Sequence, residues 1–168
     1  MPKIIENLQE KLIFEARRQV QEKGYAAMTI RSVATACGVG VGTVYNYFAS
    51  KDALVAGFML EDWQKCMAAV QSVAAESATA EPVFACIHRQ LLEFITLHQA
   101  VFADEAAVAS FSGSPGPYHS LLRRQLAAPL IKFCQDDFTA EFIAEALLTW
   151  TVAGRGMEEM NPLLNKLL

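Results

Sequence analysis

The pattern that most limits how this chain can fold lies in residues 28–48, which read MTIRSVATACGVGVGTVYNYF. Thr29 can cap a short helix by accepting a backbone amide hydrogen bond, and the apolar residues after it give that helix one inward face. Gly38 permits the positive φ of a tight turn, and Val39 can then fill the space between two helices. A second short helix follows as far as Phe48, so the segment predicts a helix-turn-helix.

The rest of the sequence is also patterned for helices. No run of Val, Ile and Thr alternates with period two, and apolar residues recur at spacings of three and four. The pattern predicts helices over about 4–23, 50–80, 82–98, 101–111, 118–134 and 138–153, with a turn or two at 162–168. At 168 residues the chain can bury a core. We therefore expect an all-α protein in which residues 1–49 form a helix-turn-helix domain and residues 50–168 form a helical body.

The net charge of −4 is distributed unevenly along the chain. Residues 1–51 carry seven Lys and Arg against four Glu, a balance of +3, whereas residues 52–168 carry seven against fourteen Asp and Glu, a balance of −7. The total argues against a protein that coats nucleic acid without specificity. The asymmetry instead suits a cationic N-terminal domain that contacts a polyanion and is attached to an acidic body.

The outer side of the second short helix carries groups that suit a DNA duplex. Thr43 and Tyr45 can donate to phosphate or touch a thymine methyl group, and Asn46 can pair with adenine in the major groove. The small Gly40 and Gly42 let the start of this helix approach a phosphate closely, where backbone amides favour an anion. We expect this helix to lie in the major groove of DNA.

Two further residues lie where they could hold the DNA backbone beside the groove. Tyr47 is one of them, and Lys51 is the other. Lys51 follows Ser50, a cap candidate for the next helix, so the helix dipole and the ammonium group would act on the same phosphate.

Together these residues resemble the DNA-binding domain of the tetracycline-repressor (TetR) family. Over about residues 8–55 the chain carries the order Thr-x-Arg-x-x-Ala-x-x-Cys-Gly-Val-x-x-Gly-Thr-x-Tyr-x-Tyr-Phe-x-x-Lys, after a helix that ends at Lys23-Gly24-Tyr25. The resemblance implies an all-helical, Ω-shaped homodimer whose C-terminal domain binds a small ligand and then releases DNA. With the matching positions included, the residues predicted to contact DNA are Thr29, Gly42, Thr43, Tyr45, Asn46, Tyr47 and Lys51.

Two positions depart from the family pattern. Members often carry Ser where this chain has Gly40, and Lys or another polar residue where it has Val41. One hydroxyl and one possible cation are therefore missing from the recognition helix. We expect weaker phosphate contact at that point, with Val41 available for van der Waals contact with a thymine methyl group.

The body, from residue 50 onward, is apolar with scattered aromatic residues but contains no motif. Most of its aromatic residues should pack in the core or in an interface, and some could line a cavity for an apolar or amphipathic effector between helices. The candidates for that cavity are Phe58, Trp63, Phe94, His98, Phe102, Phe111 and Tyr118. For the histidines, a partly exposed or hydrogen-bonded position without a ligand is the alternative.

The last two long helices are candidates for dimerisation. One apolar stripe comprises Leu121, Leu122, Leu126, Leu130 and Phe133, and a second comprises Phe142, Ala146, Trp150 and Ala153. Paired with their symmetry mates, the two helices would form a four-helix bundle.

Other classes of protein lack support in the sequence. Cys86 and His88 lie two residues apart, on different sides of a helix, and no Ser or Cys has a recognisable catalytic base. No apolar run is long enough to cross a bilayer, and the N-terminus has no signal-peptide pattern. We expect a cytoplasmic protein without metal or cofactor, whose four cysteines stay reduced.

The sequence therefore predicts a ligand-responsive transcriptional regulator: a repressor that binds a palindromic operator as a homodimer and is released by a small effector. Two alternatives remain open. A helical ligand- or partner-binding protein with a decayed DNA-binding domain would also explain the acidic total charge, Gly40 and Val41. A small helical enzyme would need a catalytic set that the sequence does not show.

Overall fold

The computed structural model of the chain describes residues 7–111 and 117–168. These residues form helices and connecting turns with no β-strand among them, so the predicted all-α fold is confirmed. The helices are α1 (Leu8–Lys23), α2 (Ile30–Ala36), α3 (Val41–Tyr45), α4 (Lys51–Glu76), α5 (Glu81–Leu97), α6 (Gln99–Phe102), α7 (Glu105–Phe111), α8 (Pro117–Ala127), α9 (Asp137–Val152) and α10 (Met157–Leu164), with a 3₁₀ helix (Ala128–Phe133) between α8 and α9. None of these helices is long and apolar enough to span a membrane.

The first compact unit, called here the N-terminal unit, consists of residues 7–61 together with His98–Phe111. Its α1 packs against α2, and α2 packs against α3. Leu12 of α1, Val33 of α2 and Val44 of α3 are fully buried in its core. The apolar faces of α1, α2 and α3 therefore pack together in one buried cluster, as a helix-turn-helix domain requires.

Residues 98–111 share that core, although they lie far along the chain. Val101 of α6 and Ala107 of α7 belong to the same buried cluster as Leu54 and Phe58 from the beginning of α4. This division differs from the boundary at residue 50 that the sequence predicts. Apolar spacing indicates which face of a helix is buried but not which core that face enters, so the sequence could not assign these helices.

The second compact unit, called here the C-terminal unit, consists of Asp62–Leu97 and residues 117–168. Its α9 packs against α5, α8 and the 3₁₀ helix, and α10 packs against α5. The largest fully buried side chains of this unit include Phe84, Ile87, Leu130, Ile143 and Leu147.

Two of the helix ends that differ from the predicted ones involve proline. The α-helix predicted to reach residue 134 ends at Ala127 and continues as a 3₁₀ helix. Pro129 explains this end, because proline has no N–H to donate and its ring clashes with the carbonyl four residues earlier. The last helix begins at Met157 rather than at Pro162, which lies inside it.

Candidate nucleic-acid interface

The helix-turn-helix forms with the cap and the turn that the sequence predicts. Thr29 has extended backbone angles (φ −131°, ψ 154°), and its Oγ1 accepts a hydrogen bond from the Ser32 amide at 3.0 Å. Beyond α2, Gly38 has a φ of +69°, and the Val39 amide donates to the Ala34 carbonyl at 3.0 Å. Val39 also packs against the core of the N-terminal unit. These contacts fix the connection between α2 and α3.

The residues of α3 and the turn after it divide between core and surface. Val44 is fully buried and Phe48 is 8% exposed, whereas Tyr45 and Tyr47 are 53% and 47% exposed. The helix ends at Tyr45, three residues before the predicted end, and one further turn carries the chain to Phe48. Of the residues predicted to contact DNA, Thr29, Gly42, Tyr45, Asn46 and Tyr47 are exposed, and Thr43 and Lys51 are half-buried.

The two glycines at the start of α3 are not required by packing within the chain. A Cβ atom at Gly42 would meet nothing within 4 Å, and one at Gly40 would meet only the Thr43 hydroxyl, at 3.9 Å. Neither glycine has a positive φ, in contrast to Gly38. The start of α3 therefore presents bare backbone to open space, where another molecule can approach it closely.

Lys51 makes its contacts within the N-terminal unit. Its Nζ donates to the Tyr25 carbonyl at 2.6 Å and lies 3.9 Å from the centre of the Tyr25 ring. The Tyr25 hydroxyl donates to Asp52, and burial raises the pKa of that hydroxyl. Burial lowers the pKa of Lys51, while the carboxylates of Asp104 and Asp52 oppose the change. Because an ammonium group has three donors, Lys51 can still donate to a phosphate.

Arg31 is a cation of the N-terminal unit to which no role was assigned from the sequence. Arg17 forms an ion pair with Glu61 at 3.2 Å and Arg18 forms one with Glu15 at 2.6 Å, so both are engaged within the unit. Arg31 on α2 is exposed, and no carboxylate among the described residues pairs with it. Its position in the Thr-x-Arg order of the motif makes it a further candidate for phosphate contact.

Four of the predicted effector-binding residues belong to the N-terminal unit, and the side chains of three of them are described. Phe58 is buried, and its ring stacks on that of His98 with 5.7 Å between ring centres and 21° between planes. The Arg17 guanidinium lies 5.3 Å from the centre of the Phe58 ring. Phe102 is exposed. The Phe58 and His98 rings are thus packed against each other within a core.

Two other members of that set lie in the C-terminal unit. Trp63 is buried, and its ring meets that of Phe94 edge-on with 5.6 Å between centres. The Trp63 indole Nε1 donates to Gln125 Oε1 at 2.5 Å. The side chains of the last two members, Phe111 and Tyr118, lie outside the described residues.

The five effector candidates with described side chains divide between the two units. Two open surface depressions of about 310 and 330 Å³ lie on the described part of the C-terminal unit. The first lies beside Ala74 and Lys132, and the second lies beside Glu81 and Asn161. None of the candidates lines either depression. Within the described part of the chain, no three His, Cys, Asp or Glu side chains cluster in a way that could hold a metal ion.

The predicted dimerisation stripes are only partly on the surface. Leu126 and Leu130 are buried in the core of the C-terminal unit, which corrects their assignment to an interface. Leu121 of α8 is exposed, and so are Phe142 and Trp150 of α9, at 54% and 49%. The exposed set on α9 also begins earlier than predicted, with Phe138. Inward and outward apolar stripes have the same spacing in sequence, so periodicity could not separate them.

Comparison with known proteins extends these observations. Residues 12–57 match the family model described as bacterial regulatory proteins, tetR family. Over 58 residues the chain is 28% identical to the HTH-type transcriptional regulator UidR of Escherichia coli K12, an alignment that covers 34% of this chain and 30% of UidR. The chain therefore aligns with about a third of the length of that curated relative.

Two solved structures share the fold over most of the chain. The TetR family repressor AlkX from Dietzia sp. is 16% identical, with a TM-score of 0.66 over 94% of this chain and 98% of AlkX. The transcriptional regulator FadR from Bacillus subtilis, solved in complex with stearoyl-CoA, is 18% identical, with a TM-score of 0.54 over 86% of this chain and 88% of FadR. Residues 12–57 are thus similar to the tetR family of bacterial regulatory proteins, and most of the chain shares the fold of these two solved regulators.

Proposed function

We propose that this chain is a transcriptional regulator that binds operator DNA with α3 in the major groove. The observation that carries the proposal is the outer side of α3 and of the turn after it, where Tyr45 and Tyr47 are exposed and Gly42 is not required by packing within the chain. Glycine in a helix is about 0.5–1 kcal/mol less favourable than alanine. Close approach of a DNA backbone explains why this position has no side chain, and Asn46 then reaches the base edges.

The active form in this proposal is a homodimer. The support is the exposed apolar surface of α8 and α9 in the C-terminal unit. Its large exposed side chains include Leu121, Phe138, Phe142 and Trp150. A two-fold dimer presents two copies of α3, which suits a palindromic operator whose half-sites lie about 34–36 Å apart or one turn further.

Control by a small effector is the other part of the proposal. FadR, which has the same fold, was solved with stearoyl-CoA, a ligand with a long apolar chain. In this chain the Trp63–Phe94 pair and the Gln125 amide place two aromatic rings beside one polar group, the chemistry that an amphipathic ligand needs. We propose that binding of such a ligand releases the operator DNA. The protein is then a repressor that acts in the cytoplasm.

Selection from a random duplex library tests the proposal. The purified chain is mixed with 30-base-pair duplexes carrying a random centre, and bound duplexes are enriched over several rounds at low salt. We expect a palindromic consensus, bound more tightly than a scrambled duplex by at least 100-fold and more weakly as salt rises. No enrichment and no binding at low salt would remove DNA binding from the proposal.

A single substitution assigns the contact to α3. Tyr45→Ala should weaken binding to the selected duplex by about tenfold or more, because it removes a hydroxyl and an aromatic surface from the interface. Phe14→Ala is the matched control, since Phe14 is an exposed aromatic residue of the same unit that lies on α1. Equal binding by the Tyr45 variant and the parent chain would show that α3 is not the recognition helix.

A helical ligand-binding protein with a decayed DNA-binding domain is the second candidate. The observation that favours it is the engagement of Lys51 by the Tyr25 carbonyl and ring, combined with the lack of a side chain at Gly40. The same selection separates the two candidates, because a decayed domain enriches no sequence.

A further inference from the structure

Gln19 is a polar side chain buried on the inner face of α1. It is 3% exposed and lies between two buried apolar residues of the same face, Ala16 and Val20. An apolar side chain would suit such a position better, because a buried amide must find hydrogen-bond partners for both of its ends. Gln19 has both: its Oε1 accepts from the Ser32 hydroxyl at 2.5 Å, and its Nε2 donates to Glu15 at 2.7 Å.

Glu15 sets the direction of this hydrogen-bond chain. Arg18 donates to its carboxylate from Nε at 2.9 Å and from Nη2 at 2.6 Å, and Arg18 is itself paired with Glu22 at 2.6 Å. These contacts lower the pKa of Glu15, so the carboxylate stays ionised and can only accept. The NH₂ group of Gln19 must therefore face Glu15, and its carbonyl oxygen must face Ser32.

The Ser32 hydroxyl connects the Gln19 hydrogen bonds to Thr29 at the start of α2. Its hydroxyl proton has two acceptors, Gln19 Oε1 and, at 2.8 Å, the Thr29 carbonyl. When that proton points to Gln19, it is turned away from the Thr29 backbone, and a lone pair of the Ser32 oxygen can face the Thr29 amide, which donates to it at 3.1 Å. The Thr29 hydroxyl oxygen accepts from the Ser32 amide, and its own proton has no acceptor among the described residues. Thr29 is exposed, so that proton is available to an outside oxygen.

We propose that Gln19 is a positioning residue for DNA binding, which holds the Thr29 hydroxyl in place to donate to a phosphate of the operator. The inference rests on the proposed function, since Thr29 is one of its DNA contacts. Without Gln19 the Ser32 proton turns to the Thr29 carbonyl, and the hydrogen bond to the Thr29 amide weakens. The phosphate contact is then lost although Gln19 itself touches no DNA.

Gln19→Leu tests the inference, with Gln21→Leu on the exposed side of α1 as the matched control. Binding to the selected duplex and to its scrambled version is measured by fluorescence anisotropy over a range of salt, and the unfolding midpoint is measured for each variant. We expect Gln19→Leu to weaken binding to both duplexes by the same factor, about three- to tenfold, because phosphate contacts carry no base specificity. The salt slope should not change, because the lost contact is made by a neutral hydroxyl and releases no counterion.

Ser32→Ala and the double variant Gln19→Leu/Ser32→Ala show whether Gln19 acts on DNA binding through Ser32 or only through the stability of the fold. Ser32→Ala removes the link and should reproduce the loss, and the double variant should bind no more weakly than either single variant. The inference is overturned if Gln19→Leu binds like the parent chain, if the two losses multiply, or if the loss disappears once binding is corrected for the unfolded fraction. A parent chain that binds no duplex at all would instead overturn the proposed function.

Discussion

At the scale of single residues, Gly38 and Gly42 are glycine for different reasons. Gly38 has a φ of +69°, a conformation that costs other residues about 1–2 kcal/mol, whereas Gly42 lies in α3 with open space where its Cβ would be. Gly38→Ala should therefore lower the free energy of unfolding by about 1–2 kcal/mol. Gly42→Ala should raise it, by up to about 1 kcal/mol, because alanine is the better helix former. Urea unfolding of both variants measures the two changes.

The same two variants show whether DNA affinity changes independently of the stability of the fold. The Cβ at residue 42 would point into the space that the DNA backbone is proposed to occupy, so Gly42→Ala should bind the selected duplex at least tenfold more weakly while being the more stable protein. Gly38→Ala should bind normally at temperatures where it is folded. An unchanged affinity for the Gly42 variant would mean that DNA does not approach α3 at this point.

At the scale of helices, the sequence predicted which segments are helical better than it predicted where each helix begins and ends. The cap at Thr29, the turn at Gly38 and the inward position of Val44 follow from local chemistry, and all three are confirmed. The end of α8 was missed, although Pro129 was visible, because the apolar spacing continues past it. The hydrogen bond between Gln19 and Ser32 could not be foreseen, since it joins residues on different helices that only folding brings together.

A second missed boundary lies within the helix predicted over 101–111. The chain forms α6 and α7 instead, and Asp104 Oδ1 caps α7 by accepting from the amides of Ala106 and Ala107, both at 3.0 Å. Asp104→Ala should lower the free energy of unfolding by about 1 kcal/mol, the usual effect of losing such a cap. Asp104→Asn keeps a side-chain acceptor and should stay within about 0.5 kcal/mol of the parent chain. Equal losses in the two variants, measured in urea, would assign the effect to the carboxylate charge rather than to the cap.

At the scale of the whole molecule, the proposed binding of a palindrome requires a second copy of the chain, and the proposed contact is an apolar surface that the folded chain leaves exposed. Phe138, Phe142 and Trp150 are exposed along α9, and Leu121 is exposed on α8. An ion pair joins the same two helices, with Arg123 Nε 3.4 Å from Glu141, and His119 Nε2 lies 3.5 Å from Glu145. Apolar side chains on two helices held together in this way can be covered by a second copy without rearrangement of either helix.

Phe142→Glu should convert the proposed dimer into a monomer. A carboxylate brought into an apolar interface loses its hydration without gaining a partner, so we expect the dissociation constant of the dimer to rise by about 100-fold or more. Sedimentation velocity at micromolar concentration measures the change, and circular dichroism verifies that the helices persist. Phe14→Glu, at an exposed aromatic residue of α1, is the control and should remain dimeric. Because each protomer then carries one α3 alone, the Phe142 variant should also lose affinity for the palindrome while keeping its affinity for a single half-site. A Phe142→Glu protein that stays dimeric would place the interface on another surface of the chain.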